Sequence, residues 1–131
     1  MFTSIKTSKA NKEVVSKLTN KLNLGTENVI ARLALSYSLS KDHRMDLKDI
    51  ADAQGKEYNI KVLFGEHVDY YIAMVCVHYN IYSNDKDLAK YVKMHVDDGL
   101  KLIDEETEKQ RNVTGYEFLI NTVEKGLKQL A

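Results

Sequence analysis

The sequence predicts a mainly α-helical fold that opens on a short strand. Three observations carry this. "FTSIKTS" sets Phe2, Ser4 and Lys6 against Thr3, Ile5 and Thr7, a period of two rich in β-branched residues. From Lys9 onward the apolar residues return every three or four positions, the period of a helix. No proline interrupts the later stretches, so no helix is kinked by one.

The first helix is expected over about Lys9 to Leu22. Val14, Val15, Leu18 and Leu22 share one arc, with Lys9, Lys12, Lys17 and Lys21 on the other side beside Ser16, Asn20 and Glu13. Gly25, after Asn23 and Leu24, is the expected stop. Thr26 suits an N-cap and Glu27 the positive end of the next helix. That helix, to about Leu39, is apolar nearly all round. Val29, Ile30, Leu33, Ala34 and Tyr37 form one face, and Ala31, Leu35 and Leu39 a second. Such a helix needs cover on both sides, from its own chain or from another subunit.

Residues 40–57, "SKDHRMDLKDIADAQGKE", are a polar connection with a helical turn at Met45–Ala53. "YNIKVLFG" reads as a short strand or an extended segment. Three helices follow. Glu66 to Tyr82 carries Val68, Tyr71, Ile72, Val75, Tyr79 and Tyr82 at helical spacing. Asp85 to Glu105, capped by Asn84, carries Leu88, Tyr91, Val92, Val96, Leu100 and Ile103. The last opens on "TGYE", a capping box of Thr114 and Glu117, and bears Tyr116, Ile120, Val123, Leu127 and Leu130 on one side.

Composition narrows the class. A chain of 131 residues with 44% hydrophobic content reads as one domain, 1–131, with its own core. No apolar run approaches the roughly 18–20 residues of a membrane span, and "MFTSIKTSK" lacks the apolar core of a signal peptide. One cysteine, Cys76, fits a reducing cytoplasm. The 19 basic and 19 acidic residues balance, but unevenly along the chain. Residues 1–44 carry +5 and residues 45–131 carry −5. A basic start on a neutral chain asks for an anionic partner, either a nucleic-acid backbone or an acidic protein surface, this chain's own included.

Catalytic and metal signals are weak. His67 and His78 lie three helical turns apart, His95 and Asp98 have no third ligand nearby in sequence, and there is no His-x-x-x-His or Cys/His cluster. Isolated surface histidines, no metal and no cofactor are the expectation. Cys76 lies inside "YYIAMVCVHY" and reads as packing. Glu66 and Asp69 answer a helix dipole. The glycines form no phosphate loop. Nothing points to an enzyme. The tyrosines sit in helical stripes and read as core rather than as stacking platforms.

The strand–helix–helix of residues 2–39 has the outline of a ribbon-helix-helix module, in which strands of two chains pair and the apolar second helix lies between subunits. A plain helical hairpin with a solvated lysine face is the simpler alternative. Two stretches, "IKTSKANKEVVSKLTNKLNLGTENVIARLALSYSL" and "GKEYNIKVLFGEHVDYYIAMV", together resemble the DndE family of the bacterial DNA phosphorothioation system. The likeness runs to about Leu102, and Asp104–Ala131 adds little to it. It implies a small helical protein with a ribbon-helix-helix-like start and no catalytic centre. It further implies work beside a cysteine desulfurase and other subunits that replace a non-bridging phosphate oxygen of DNA with sulfur. It implies binding of duplex or nicked DNA through lysines on a homo-oligomer, a tetramer among the possible states. Lys6 and Lys9 stand in the matching "IKTSK", and Lys12, Lys17 and Lys21 match as basic positions. Gly25 matches the turn that shapes the oligomer, with Val29, Leu33, Leu35 and Tyr37 expected at the interface. The rival is a ribbon-helix-helix repressor or antitoxin that reads a palindromic operator with Ser4 and Lys6.

Overall fold

A computed structural model describes residues 1–110 and 112–130. The strand expected at the N-terminus is β1, Ser4–Lys6. Its partner lies inside the same chain. β2, Glu57–Asn59, pairs with it antiparallel, setting Ser4 against Asn59, Ile5 against Tyr58 and Lys6 against Glu57. Ile5 and Tyr58 point into the core while Lys6 and Glu57 face solvent, as the two-residue period requires. "YNIKVLFG" is thus divided. Its first residues complete β2, and the Asn59 side chain then accepts the amides of Lys61 and Val62 (2.9 and 3.2 Å). This cap starts α3, Ile60–Phe64, at once.

α1, Ala10–Leu22, ends three residues before the expected glycine. Asn23 takes the left-handed conformation (φ 51°, ψ 44°) and returns its amide to the Thr19 carbonyl (3.2 Å). Gly25, at φ 142°, then shapes the turn into α2, Glu27–Leu39. Ile30, Ala31, Ala34 and Leu35 of α2 are fully buried, and the cover comes from this chain. α5, Leu88–Lys109, lies along α2 and supplies Val92, Val96, Leu100 and Ile103, the stripe read from sequence. The two backbones touch at Gly99. A Cβ there would stand 1.8 Å from the Ala34 carbonyl oxygen.

The connection 40–56 contains a 3-10 turn at Leu47–Asp49. A second, Gly65–His67, leads into α4, Val68–Tyr79, whose Ile72 and Val75 reach the core. α5 begins later than expected, with Asp87 rather than Asn84 at its cap, and the Asp85 carboxylate accepts the Asp87 amide (2.8 Å). α6, Gly115–Leu130, starts on the expected capping box. Thr114 Oγ1 accepts the Glu117 amide (3.1 Å), and Glu117 accepts that of Thr114 (3.4 Å). The tyrosines divide: Tyr37 and Tyr58 are core, but Tyr70, Tyr82 and Tyr116 are exposed, contrary to the packing role expected of them. No helix among the described residues is long and apolar enough to cross a membrane.

Two glycine substitutions test this arrangement. Gly99→Ala forces α5 away from the Ala34 carbonyl, so it should destabilise the protein by at least ~3 kcal/mol or prevent folding. Gly126→Ala, on α6 with nothing within 4 Å of the added carbon, should instead stabilise by ~0.5–1 kcal/mol through helix propensity. Urea unfolding midpoints of the two variants check both signs.

Candidate nucleic-acid interface

The basic segment begins at the corner where β1 passes into α1. Lys6 leaves the exposed side of the strand, while Ile5 and Thr7 on either side are buried. The corner is fixed from behind by carboxylates of the same chain. Asp97 on α5 accepts the Ser8 amide (3.0 Å) and the Asn11 side chain (2.7 Å), and Lys93 donates to its other oxygen (2.6 Å). Asp52 accepts the Lys9 amide (2.8 Å), and Lys93 also donates to the Asp52 carbonyl (2.8 Å). The backbone bonds from Lys9 and Gln54 hold the Asp52 carboxyl below its usual range. The amides of Ser8 and Lys9, which lead into α1, therefore already have carboxylate partners.

The five candidate lysines divide into two groups. Lys6, Lys9 and Lys12 are exposed and make no ion pair among the described residues. Lys17 and Lys21 are engaged by α5. Lys17 Nζ lies 2.6 Å from Asp104 and 3.2 Å from Glu108, and Lys21 lies 3.9 Å from Glu108 and donates to the Thr107 carbonyl (3.0 Å). The bond to Asp104 raises the Lys17 pKa, and the bond from Lys17 lowers that of Glu108. Part of the basic excess is thus met by the acidic part of the chain, the plainer of the two alternatives. Exposed pairs of this kind contribute only ~0–1 kcal/mol, so a polyanion competes for them readily.

The residues expected between subunits also separate. Gly25 lies in an exposed turn, and Val29 and Leu33 are half-buried. Leu35 and Tyr37 are buried within the chain, and the Tyr37 ring packs against Phe118 of α6 at 5.6 Å between centroids. These two are core residues here, which corrects their assignment to an interface.

The histidines are not isolated. His43, His78 and His95 cluster, with His95 fully buried and its ring centroid 5.2 Å from that of His78 and 6.2 Å from that of His43. Ser38 donates its hydroxyl proton to Asp98 (2.6 Å), so its oxygen accepts from His95 Nδ1–H (2.7 Å). Nε2 then accepts from the Tyr79 hydroxyl (2.6 Å), whose oxygen accepts the Met45 amide (3.0 Å). Both ring nitrogens of the neutral imidazole are satisfied. Burial first, and then the neighbouring His78, push the His95 pKa down to about 4. Ser38 and His95 are sealed from solvent. The one hint in the sequence was polar Ser38 in an apolar helix and His95 within the "VKMHV" stripe. Cys76 is half-buried, and burial raises its thiol pKa, away from the nucleophilic thiolate. Among the described residues no group of three or more His, Cys, Asp or Glu side chains is arranged to hold a metal ion.

Residues 4–111 match the family model described as DNA sulphur modification protein DndE. Among solved structures, the fold is similar to a crystal structure of DndE from Escherichia coli B7A involved in DNA phosphorothioation modification. The TM-score is 0.63 at 21% identity, over 79% of this chain and 98% of that one. It is similar also to a DndE mutant involved in DNA phosphorothioation, with a TM-score of 0.65 at 22% identity and the same coverage. No curated protein sequence matches the chain.

The histidine network carries a pH signature. Unfolded His95 takes a proton near pH 6.5, and folded His95 only near pH 4. Its folded pKa is depressed, so the full stabilisation is present above pH 6.5 and is lost as the pH falls through this window, by roughly 2–3 kcal/mol in all. His43, His78, Asp98 and Tyr79 face the His95 ring from the neighbouring elements. His95→Gln should be less stable than the wild type at pH 7 yet lose less between pH 6.5 and pH 4. Urea unfolding across that range measures the two slopes.

Proposed function

The chain belongs to the DndE family of DNA sulphur modification proteins, and on that premise we propose that it is a non-catalytic DNA-binding subunit of a phosphorothioation system. In this reading it grips the backbone of duplex DNA, nicked duplex included, while partner subunits exchange sulfur for a non-bridging phosphate oxygen. The observation that carries it is the β1–α1 corner. Lys6, Lys9 and Lys12 are exposed there without carboxylate partners among the described residues, on a backbone already tied to Asp97 and Asp52. Flexible ammonium stems on a rigid corner suit point-charge contact with phosphates rather than base reading. Lys17 and Lys21 join as secondary contacts by exchanging Asp104 and Glu108 for phosphate.

Two further features support the reading. β1 is paired with β2 of its own chain, so the ribbon is intramolecular, which favours backbone contact over a strand inserted into the groove to read an operator. The raised thiol pKa of Cys76 and the sealed Ser38–His95 pair are consistent with a subunit that lends DNA affinity rather than a reacting group. A homo-oligomer assembled around the Gly25 turn, with Val29 and Leu33 beside it, would present the lysine corner several times to one duplex.

The test is a set of anisotropy titrations of intact and nicked duplex at several salt concentrations. Wild-type affinity should fall with salt at a log–log slope of roughly −0.9 per phosphate neutralised. The Lys6→Glu/Lys9→Glu/Lys12→Glu variant should bind at least ~100-fold more weakly to every sequence and show a flatter slope. Lys17→Ala should cost no more than a few-fold, because that side chain gives up two carboxylates to reach DNA. Unchanged affinity and slope in the triple variant would remove the corner from the interface.

A further inference from the structure

The last turns of α5 carry carboxylates where a helix does not favour them. Asp104, Glu105, Glu106 and Glu108 crowd this end, which is the negative end of the helix dipole. Asp104 and Glu108 stand four apart on one face, where like charges repel. α1 relieves them. Lys17 Nζ sits between the two, 2.6 Å from Asp104 and 3.2 Å from Glu108. Lys21 lies 3.9 Å from Glu108 and donates to the Thr107 carbonyl (3.0 Å). Apolar packing already docks the two helices, with Val15 and Leu18 of α1 in one core with Val96, Leu100 and Ile103 of α5, all fully buried. The carboxylates therefore act on the lysines more than on the fold.

Carboxylate oxygens held against lysine ammonium groups offer what a phosphate backbone also offers. We infer that Asp104 and Glu108 are an internal mask that stands in for phosphate on the free protein, so that DNA must displace them to extend from the corner along α1. The inference rests on the DNA-binding reading above and adds a second stage to it. The first stage displaces nothing, because Lys6, Lys9 and Lys12 have no carboxylate partner among the described residues. Lys9 and Lys21 are separated by about 18 Å of helix axis, so a duplex seated on the corner meets the mask only where it follows α1. The mask is open to competition. The Lys17 side chain is 47% exposed and that of Glu108 60%, and an exposed pair is weak and screened by salt. Its effect is a lower affinity and a shallower salt dependence than five free lysines would give. A carboxylate freed by DNA takes up a cation from solution, which offsets one released from the duplex.

Asp104→Asn/Glu108→Gln removes the mask and keeps the side-chain shapes. In anisotropy titrations this variant should bind duplex DNA roughly 10-fold more tightly than the wild type, with a log–log salt slope steeper by about one to two. Lys17→Ala should cost at least ~10-fold in this background, against a few-fold in the wild type, a coupling that net charge alone does not produce. Glu66→Gln/Asp69→Asn is the control. It makes the same charge change at exposed residues near the start of α4 that form no ion pair among the described residues, and it should gain no more than ~2-fold. Equal gains from the two double variants, or no gain and an additive Lys17→Ala, overturn the mask and leave the DNA reading standing. Absence of duplex binding by the wild type and by both double variants overturns the two together. If circular dichroism shows the double variant misfolded, Glu108→Gln alone should still gain ~2–3-fold, and wild-type affinity in that variant overturns the inference.

Discussion

The buried carboxylate of Asp97 ties the molecule together. One oxygen receives the Ser8 amide and the Asn11 side chain, and the other receives Lys93. Lys93 in turn holds the Asp52 carbonyl. One charge on α5 therefore sets the entry of α1, the direction in which β1 arrives and the path of the loop that leads to β2. Buried, paired ions of this kind add little net stability over an apolar packing, but removing one partner strands the other, at ~3–5 kcal/mol. The neighbouring loop makes the dependence tighter. Gly55 donates to Thr7 (2.9 Å), and a Cβ there would stand 2.1 Å from the Ser8 carbonyl oxygen. The lysine corner is rigid because of these contacts, and rigidity lets three flexible side chains act as one surface.

The charge asymmetry of a neutral chain has a divided answer. Asp104 and Glu108 of α5 take up Lys17 and Lys21, so the far half of the lysine face is already neutralised. Glu27, on the basic side of the division, is paired with Lys56 from the acidic side (3.2 Å). Lys6, Lys9 and Lys12 keep no carboxylate partner among the described residues, while Arg32 and Arg44 donate to the carbonyls of Leu63 and His78 and Lys41 lies over the Tyr37 ring. On the proposed DNA-binding reading, the Lys6, Lys9 and Lys12 patch is where a phosphate backbone is attracted.

Local structure was legible in the sequence, and long-range pairing was not. The period of two over residues 2–7, the arc of Val15, Leu18 and Leu22, the stripe from Val92 to Ile103 and the Thr114–Glu117 box all depend on residues within a turn or two of each other. Each is present as read. The pairing of Ile5 with Tyr58 spans 53 residues, and nothing in either stretch names the other. The same holds for Ser38 with His95 and for Lys17 with Asp104. His95 was misjudged because burial of a polar group depends on partners, and its partners, Ser38 and Tyr79, come from two other helices. The lysine face was correctly placed on one side of α1, but its division into free and engaged halves is a property of α5.

Two helices posed the same question in sequence and received opposite answers. α2 carried more apolar surface than one face can bury, and α5 covers it so closely that only glycine fits at position 99. α6 carried a clean apolar stripe, and its own domain declines it, taking the polar side instead. The difference lies in the neighbours. α2 is flanked in the fold by α1, α3 and α5, whose own apolar faces need it, whereas α6 meets the chain at a corner where the core is already closed by Leu22, Tyr37 and Phe118. A helix added to a finished core has no apolar surface left to bury against. Its stripe stays open to solvent, with Tyr116, Val123, Leu127 and Leu130 each more than half exposed.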